Sequence, residues 1–403
     1  MIAPAVQLYK NAYTGLTRRI WLLSIVMLIN RSGTMVLAFM TLYCRNLGFT
    51  TQQGGQVVAI YGIGAVAGAF LGGRISDRFG FYYTQFSSLF LGGLLFILLG
   101  QMRSYEAICT CTFFLSLVNE SFRPANAAAI AHYSTEKNRT QSYAVVRLAI
   151  NIGWGIGVAL GGFLASFNYH LLFWTDGCTS IIAAISLVSL LPRVTLAQQK
   201  KESGKDETMQ ASLSPYRDKT FIHFLFFTVL FATCFFQIFT TVPIFFKEGL
   251  KLNEFWIGVV MSLNGILIAL VEMVLVFKLE GKLPYLKLMF YASVIMGLSF
   301  LVLNLPLSNG LLVAAFSVMV ITIAEMVGMP FMNSFYINRS SGNNRGQYAG
   351  LYTMSWSIAQ VLGSSCGALL ATYMGFFDLW LIVAVVCFIA SAGYYWLQKK
   401  VDR

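Results

Sequence analysis

The sequence predicts an all-α integral membrane protein with twelve transmembrane helices in two pseudo-symmetric six-helix bundles. Three observations lead to this fold class: apolar runs of spanning length, basic residues concentrated on alternate loops, and one polar stretch near the middle of the chain. Of the 403 residues, 57% are hydrophobic and 11% are charged, whereas soluble domains average about 25% charged residues. Because roughly 20 apolar residues span a bilayer and such runs recur along the chain, the composition excludes an ordinary soluble domain.

Twelve apolar runs define the predicted spans. Backbone groups inside lipid must be satisfied within their own segment, so each run is predicted to be a helix. The first run is too long for a cleaved signal sequence, so we expect the first helix to be kept and to serve as the targeting signal. The spans are predicted at residues 20–44, 54–74, 82–101, 107–132, 140–166, 170–191, 220–246, 253–277, 285–304, 309–336, 346–373 and 376–397.

Basic residues predict the orientation of these spans. In the loops and at the ends of the spans, 21 Lys and Arg residues fall on the side of the N-terminus and 4 on the opposite side. Cytoplasmic loops carry such an excess, so both termini are predicted to be cytoplasmic and the protein to lie in the cell membrane. The net charge of +12 therefore reports topology, and no nucleic-acid partner is expected. The scattered His and Cys residues lack the spacing of a metal site, so neither a metal nor a cofactor is expected.

A polar stretch divides the chain into two related halves. Residues 1–192 and 220–403 are predicted to form the two bundles, and residues 193–219 a cytoplasmic linker rich in Lys, Glu, Ser and Gln. A shift of 206 positions superimposes several unusual residues, and Glu120 then falls one position from Glu325. These coincidences indicate duplication with a symmetry axis along the membrane normal. The superimposed pairs are Pro124 with Pro330, Arg139 with Arg345, Gly157 with Gly363, and Gly161 with Gly367.

One short charged segment, GGRISDRFGF at residues 72–81, separates two apolar runs. Gly73 and Gly80 allow a tight turn between spans. Basic residues here are expected to fix the orientation of the spans in the membrane. An acidic residue contributes little to that orientation, so Asp77 is expected to have a further role. An anion at this place can meet a helix N-terminus or a nearby arginine.

The twelve spans, the central loop and the pattern from Gly73 to Gly80 resemble the major facilitator superfamily. The resemblance covers the whole chain, including residues 122–153 and 324–352, which resemble the family's helix 4–5 and helix 10–11 segments. It implies that Asp77 latches the two halves on the cytoplasmic side, with Arg139 or the helix start near Arg345 as its partner. The predicted gate motif comprises Gly73, Asp77, Arg78, Gly80, Arg139 and Arg345. Aromatic residues at 81–83 replace the family's usual basic residues, which predicts a weaker latch or one that uses aromatic contacts.

Seven charged residues of the predicted spans fall inside apolar sequence. Each costs about 2.5–3.5 kcal/mol at the bilayer centre, so each is expected to face a partner or a water-filled cavity. A carboxylate balanced between burial and a nearby arginine can load and release a proton. We therefore rank Glu325, Glu120 and Glu272, in that order, as candidates for proton coupling, with fixed polar bridging as the alternative. The seven residues are Arg31, Glu120, Arg123, Arg147, Asp176, Glu272 and Glu325.

Polar and aromatic residues near these charges define a predicted substrate cavity. Glu120 and Arg123 share a helix face and can pair, Arg147 can instead reach the cytoplasm, and Asp176 is expected to cap a helix or reach the outer interface. Trp356 can line the cavity or belong to the packing. The predicted cavity residues are Asn30, Arg31, Asn119, Arg123, Arg147, Asn151, Gln237, Asn264 and Trp356.

These features favour a secondary active transporter that works by alternating access. A phosphate-binding loop is missing from the sequence, which disfavours an ATP-driven pump, and no nucleophile–base or metal cluster indicates an enzyme. The two-half architecture disfavours a channel, and the charges kept within the spans disfavour a receptor that has lost transport.

We expect a monomer that moves a small organic solute, with protons as the coupling ion. Export is the leading prediction. The missing proline after Gly157 and the basic cavity favour the second possibility, proton-coupled uptake of peptides or other anionic or zwitterionic solutes.

Overall fold

The computed structural model describes residues 2–199, 214–305, 309–341 and 343–402. Most of these residues are helical, and none of the described segments is a strand. Lys200, Lys201 and Lys205 of the predicted linker, and Arg403, lie outside the described residues. The chain divides into two compact units. The amino-terminal unit comprises Gly15–Pro215 with Ser340–Met354, and the carboxy-terminal unit comprises Met1–Thr14, Tyr216–Arg339 and Ser355–Arg403.

The amino-terminal unit is preceded by a short helix, α1 (Ile2–Tyr13), which clusters with the other unit. Two helices of its own, α4 and α8, reach 29 residues each, long enough to cross a bilayer. Its helices are α2 (Arg18–Ser32), α3 (Val36–Asn46), α4 (Thr51–Phe79), α5 (Phe81–Leu99), α6 (Tyr105–Glu120), α7 (Phe122–Tyr133), α8 (Arg139–Phe167) and α9 (His170–Leu190).

The carboxy-terminal unit is also built from helices in its described residues. Its first helix is followed by a 3₁₀ turn, Phe236–Phe239, and its last helix runs through 57 residues with a kink at Gly375, where φ is 83°. The helices are α10 (Lys219–Phe235), α11 (Thr241–Glu248), α12 (Glu254–Leu279), α13 (Tyr285–Val302), α14 (Gly310–Arg339) and α15 (Arg345–Val401).

The number of membrane spans can be compared with the lengths and compositions of these helices. Ten helical segments in the described residues are long and apolar enough to cross a membrane. One of them is α15, whose kink at Gly375 falls between the last two predicted spans. The fourth predicted span is covered by α6 and α7, which meet at Ser121. Pro124 explains that interruption because it lacks the N–H that would bond the carbonyl of Glu120. The protein is thus a multi-pass membrane protein, and the count of twelve stays a prediction.

The first span of each unit is also interrupted. In the amino-terminal unit α2 ends at Ser32 and α3 begins at Val36, and Thr34 donates a hydrogen bond back to the carbonyl of Arg31 at 3.1 Å. The shift of 206 carries Gly33 to Phe239, the last residue of the 3₁₀ turn in the carboxy-terminal unit. Broken helices at equivalent places in two repeats are typical of transporter binding sites, where free backbone groups face the ligand.

Glycine brings α8 close to this break. A Cβ at Gly157 would lie 3.0 Å from the carbonyl oxygen of Arg31 and 3.1 Å from that of Thr34. A Cβ at Gly153 would lie 2.7 Å from the Cβ of Arg31. Small residues allow helix backbones to approach in lipid, so the glycine run of α8 is the surface on which the broken helix rests.

A partly buried ion pair holds α10 against α14 at one end of the carboxy-terminal unit. Asp218 is 3% exposed. Its Oδ1 caps α10 by accepting the N–H of Phe221 at 3.1 Å. Arg339 donates from Nε and Nη2 to the two carboxylate oxygens, both at 2.8 Å. Such two-point pairs are among the stronger polar contacts in proteins.

Replacing Asp218 by Asn is expected to destabilise the carboxy-terminal unit. The amide can still cap α10, but it leaves the guanidinium of Arg339 without its counter-ion, and hydrogen bonds to charged groups contribute about 1.5–3 kcal/mol. Thermal unfolding of the detergent-purified protein measures the effect as a lower midpoint. Asp402→Asn is the matched control because Asp402 is exposed near the end of α15. Equal midpoints for the two variants would contradict a stabilising role for the pair.

Candidate functional site

Asp77 lies at the end of α4, directly opposite the start of α15. Its Oδ1 accepts the backbone N–H of Gly346 at 2.7 Å and its Oδ2 accepts that of Gln347 at 2.9 Å. A helix N-terminus presents free N–H groups and a partial positive charge, so a carboxylate is a favoured ligand there. The helix start near Arg345, one of the two partners that the sequence predicted, is therefore in contact with Asp77.

Backbone contacts between glycines surround this hydrogen-bonded pair. A Cβ at Gly73 would meet the carbonyl oxygen of Gly346 below van der Waals distance, and one at Gly350 would lie 2.7 Å from the carbonyl oxygen of Ala69. A backbone carbonyl cannot move aside as the end of a flexible side chain can. The two helices therefore approach at a distance that only glycine permits.

The remaining residues of the gate motif occupy the ends of helices nearby. Arg78 is exposed and places its guanidinium 5.4 Å from the ring centre of Phe79. Gly80 has a φ of 91°, which allows the tight turn between α4 and α5. Arg139 is buried at the start of α8, and Arg345 is the first residue of α15.

An aromatic residue takes the place of a basic one directly after Gly80. The ring of Phe81 packs against His132 and Tyr133, with ring centres 5.1 and 5.6 Å apart. The N–H of Phe81 donates to Oε1 of Gln199 at 3.3 Å. The turn is thus held by apolar packing and one hydrogen bond from the start of the linker.

Glu120 is the centre of a polar cluster in the amino-terminal unit. It is 9% exposed, and its Oε2 lies 3.3 Å from Nε of Arg123, whose side chain is 45% exposed. Tyr61 donates to Oε1 of Glu120 at 3.5 Å and accepts from Nδ2 of Asn119 at 3.3 Å. Arg31 adds a second positive charge within electrostatic range of Glu120. The cluster therefore combines one carboxylate with two guanidinium groups.

Two side chains near the broken helix carry donors without a protein acceptor. Within the described part of the chain, Nε of Arg31 and Nδ2 of Asn151 are buried and make no hydrogen bond. Arg147 lies one turn before Asn151 on α8. Asn30, by contrast, is buried and donates to Oγ of Ser180 at 3.4 Å, which joins α2 to α9. Arg31 and Asn151 are the better candidates to bind a ligand's acceptor atoms.

Glu325 belongs to a second polar cluster, in the carboxy-terminal unit. It is 5% exposed on α14, five residues before Pro330. Its Oε2 accepts a hydrogen bond from Nδ2 of Asn264 at 2.8 Å, and the same amide group donates to Oγ1 of Thr322 at 3.0 Å. The structure thus brings together two residues that the sequence singled out, a carboxylate and an amide.

Glu272 lies apart from this pair, where α1 packs on α12. The carboxyl is 1% exposed. The hydroxyl of Tyr9, on α1, donates a hydrogen bond to the backbone carbonyl of Leu270. Burial, Tyr9 and the charge of Glu272 together raise the pKa of Tyr13. Glu272 therefore lies within electrostatic range of the N-terminal helix.

Gln237 and Trp356 differ in what they contact. Gln237 is 2% exposed, donates to the carbonyl of Gly363 at 2.9 Å and accepts from the hydroxyl of Thr241 at 2.6 Å. Its polar groups connect the 3₁₀ turn to α15. Trp356 packs edge-on against Phe235 and Phe236, with ring centres 5.9 and 6.0 Å apart. The three aromatic side chains pack together beside the break in the seventh predicted span.

Sequence reasoning missed Tyr61 and the pair of Asp218 with Arg339. Tyr61 is the one hydroxyl-bearing aromatic residue in the long apolar part of α4, which was the available signal. The two residues of the ion pair are 121 positions apart in the sequence. Each resembles an ordinary charged residue of a loop, so the sequence did not indicate that they pair. In the described residues, no group of three or more His, Cys, Asp or Glu side chains could hold a metal ion.

Comparisons with known proteins extend over most of the chain. The sequence model of the Major Facilitator Superfamily matches residues 20–363. The Na(+), Li(+), K(+)/H(+) antiporter of Planococcus maritimus is 23% identical over 406 residues, covering 93% of this chain and 94% of the relative. Multidrug resistance protein 2 of Bacillus subtilis (strain 168) is 24% identical over 351 residues, covering 83% and 84%. The crystal structure of the human organic anion transporter MFSD10 (TETRAN) shares the fold, with a TM-score of 0.75 at 14% identity, covering 94% of this chain and 99% of that one.

Proposed function

Because the chain belongs to the major facilitator superfamily, a family of membrane transporters, we propose that it exports a small organic solute by alternating access in exchange for protons. Two relatives support this direction by their names, one a cation/proton antiporter and the other a multidrug resistance protein. We place the protein in the cell membrane with both termini in the cytoplasm, and we propose that the monomer is the working unit.

The observation that carries the proposal is the pair of Glu325 with Asn264. A carboxylate that is 5% exposed and held by an amide can be charged or neutral without a change in shape, because the Asn264 donor serves both forms. Ionisable residues within membrane spans are expensive and usually functional. Glu120 offers the equivalent carboxylate in the amino-terminal unit, beside two arginines.

The donors around the broken first span indicate the kind of solute. Arg31 and Asn151 have buried donor atoms without a protein acceptor, and Arg123 is half-exposed beside Glu120. We therefore propose a solute that carries an acceptor group, either a carboxylate or a polar carbonyl.

Alternating access requires that helix ends separate and rejoin during the cycle. The contact of Asp77 with the start of α15 is the part of the structure best suited to this. We propose that it closes the cytoplasmic side and that its rupture admits solute from the cytoplasm. The glycines around it have no side chains that could interlock, so the two helix ends can separate fully.

The experiment uses purified protein in liposomes that contain a pH-sensitive dye. A pH gradient is imposed, and pooled dyes and drugs, peptides, sugars and organic acids are added in turn. We expect a solute-dependent proton flux, with the proton moving against the direction of the solute. Solute movement that ignores the pH gradient would contradict proton coupling.

Proton-coupled uptake is the second candidate, favoured by a specific observation. Three arginines, Arg31, Arg123 and Arg147, stand in or beside the proposed site, which suits anionic or zwitterionic solutes such as peptides. The proline that exporters of the family often carry after Gly157 is replaced by Val158. Proton and solute moving in the same direction in the liposome experiment would establish uptake.

A further inference from the structure

Asp176 of α9 caps a helix that is not its own. Its Oδ2 accepts the backbone N–H of Met35 at 3.3 Å and that of Val36 at 3.0 Å, at the point where α3 begins after the break in the first span. Met35 itself provides no side-chain cap. The carboxyl is 3% exposed. The start of α3 therefore depends on a buried carboxylate from a neighbouring helix.

The contact lies in a row of close contacts between α9 and the broken helix. Asn30 donates to Ser180, and a Cβ at Gly33 would clash with Oγ1 of Thr179, so the break fits directly against α9. Gly33 is also the residue with the least steric restriction on a change of backbone angles. A change in the strength of the two hydrogen bonds between Asp176 and the start of α3 thus affects the part of the helix most able to bend.

Arg31 is the charged group that faces Asp176 in the described part of the chain, from α2. The adjoining parts of α5, residues 90–99, and of α8, residues 153–162, carry no titratable side chain. On α9 the nearest titratable groups are His170, near the helix start, and Cys178, and on α3 they are Tyr43 and Cys44, two turns beyond the cap.

Charge balance favours a proton over a metal ion as the ligand of this carboxylate. Asp176 already faces the positive end of α3 and the guanidinium of Arg31, so a metal cation would add a third positive partner to a single negative charge. A proton instead neutralises the carboxylate. The two N–H bonds then lose their charge assistance, and a hydrogen bond to an ion is roughly twice as strong as one between neutral groups.

We propose that Asp176 is a proton-binding residue of the transport cycle and that its protonation loosens the start of α3, which lets the first span bend at Gly33 beside the donors of Arg31. The inference rests on the proposed proton coupling. It adds a fourth carboxylate to the three ranked from the sequence and links the proton to the shape of the broken helix. The step is a simple proton transfer: carboxylate and proton combine, and no other bond breaks.

Asp176→Asn tests this in liposomes, because the amide oxygen can still accept both N–H groups while the side chain stays neutral. We expect solute accumulation driven by a pH gradient to be lost and solute counterflow at equal pH to be retained. Ser180→Ala is the matched control: it removes a neighbouring hydrogen bond between α2 and α9 but no titratable group, and it should keep accumulation. A purely capping role predicts that Asp176→Asn also accumulates solute, which would overturn the inference.

A second measurement uses the unaltered protein and so does not depend on the folding of a variant. A hydrophobic carbodiimide reacts with protonated carboxyl groups in apolar surroundings, and mass spectrometry locates the label. We expect the peptide that contains Asp176 to be labelled increasingly as the medium is acidified. No label at any pH would overturn the inference even where the wild type couples solute to protons. A wild type without proton flux would instead overturn the proposed function and this inference with it.

Discussion

Replacing Glu325 by Gln is expected to abolish solute-dependent proton flux while the protein remains folded. Gln has nearly the same shape, and its amide oxygen can accept the hydrogen bond that Asn264 now donates at 2.8 Å. It cannot bind and release a proton near neutral pH. The change therefore removes the proposed chemistry and preserves the packing of α14 against α12. Dye-loaded liposomes measure the flux, and thermal unfolding measures the folded state.

Glu248→Gln is the matched control for this variant. Glu248 is exposed at the end of α11 in the same unit, so its neutralisation should leave the flux unchanged. Glu120→Gln runs beside both variants because Glu120 is the second-ranked carboxylate. Full flux in the Glu325→Gln protein would make the carboxyl a fixed polar bridge between helices and would move the proton to another group.

Replacing Gly73 by Ala is expected to open the contact between α4 and α15. The added methyl group would overlap the carbonyl oxygen of Gly346, which belongs to the backbone. Overpacking of this kind costs about 1–3 kcal/mol, enough to change the transport rate by about tenfold if the closed contact is part of the cycle. Gly346→Ala should have a similar effect because its methyl group would meet the backbone of Gly73. Initial rates of solute transport in liposomes measure both.

Gly55 provides the control within the same helix. A Cβ there would meet nothing within 4 Å, and Ala is favoured over Gly in helices by about 1 kcal/mol. Gly55→Ala should therefore transport at the wild-type rate and unfold at the same or a higher temperature. Equal rates for Gly73→Ala and Gly55→Ala would show that the helices need not approach so closely for transport.

Hydropathy predicted most of the helices because burial in lipid affects every residue of a span. The predicted spans 82–101, 170–191 and 285–304 correspond to α5, α9 and α13 within a few residues. The interruptions were not predicted. Nothing in the apolar run around Gly33 shows that Asp176, 140 positions away, supplies a cap for a new helix start. The 3₁₀ turn at Phe236–Phe239 is equally hidden among aromatic residues.

The candidate site likewise contains residues that the sequence indicated and contacts that it did not. Buried charges are visible in the sequence because they are rare in apolar runs, so Glu120, Arg123 and Glu325 could be singled out. Their partners were harder to predict, since contacts of Tyr61 with Glu120 and of Asn264 with Glu325 depend on how helices pack side by side. The position of α1 against α12, near Glu272, had no signal in the composition of either segment.

The contact of Asp77 has a consequence for how the protein is made. Its partner Gly346 lies 269 positions later, and a ribosome adds about 5–20 residues per second, so the partner is made on the order of tens of seconds after the carboxylate. During that interval Asp77 and the glycines of α4 have no α15 to contact. Because Ser340–Met354 belongs to the amino-terminal unit, that unit reaches its final form only after this segment has been made. An intact contact at Asp77 therefore distinguishes a chain that includes the start of α15 from one truncated before it.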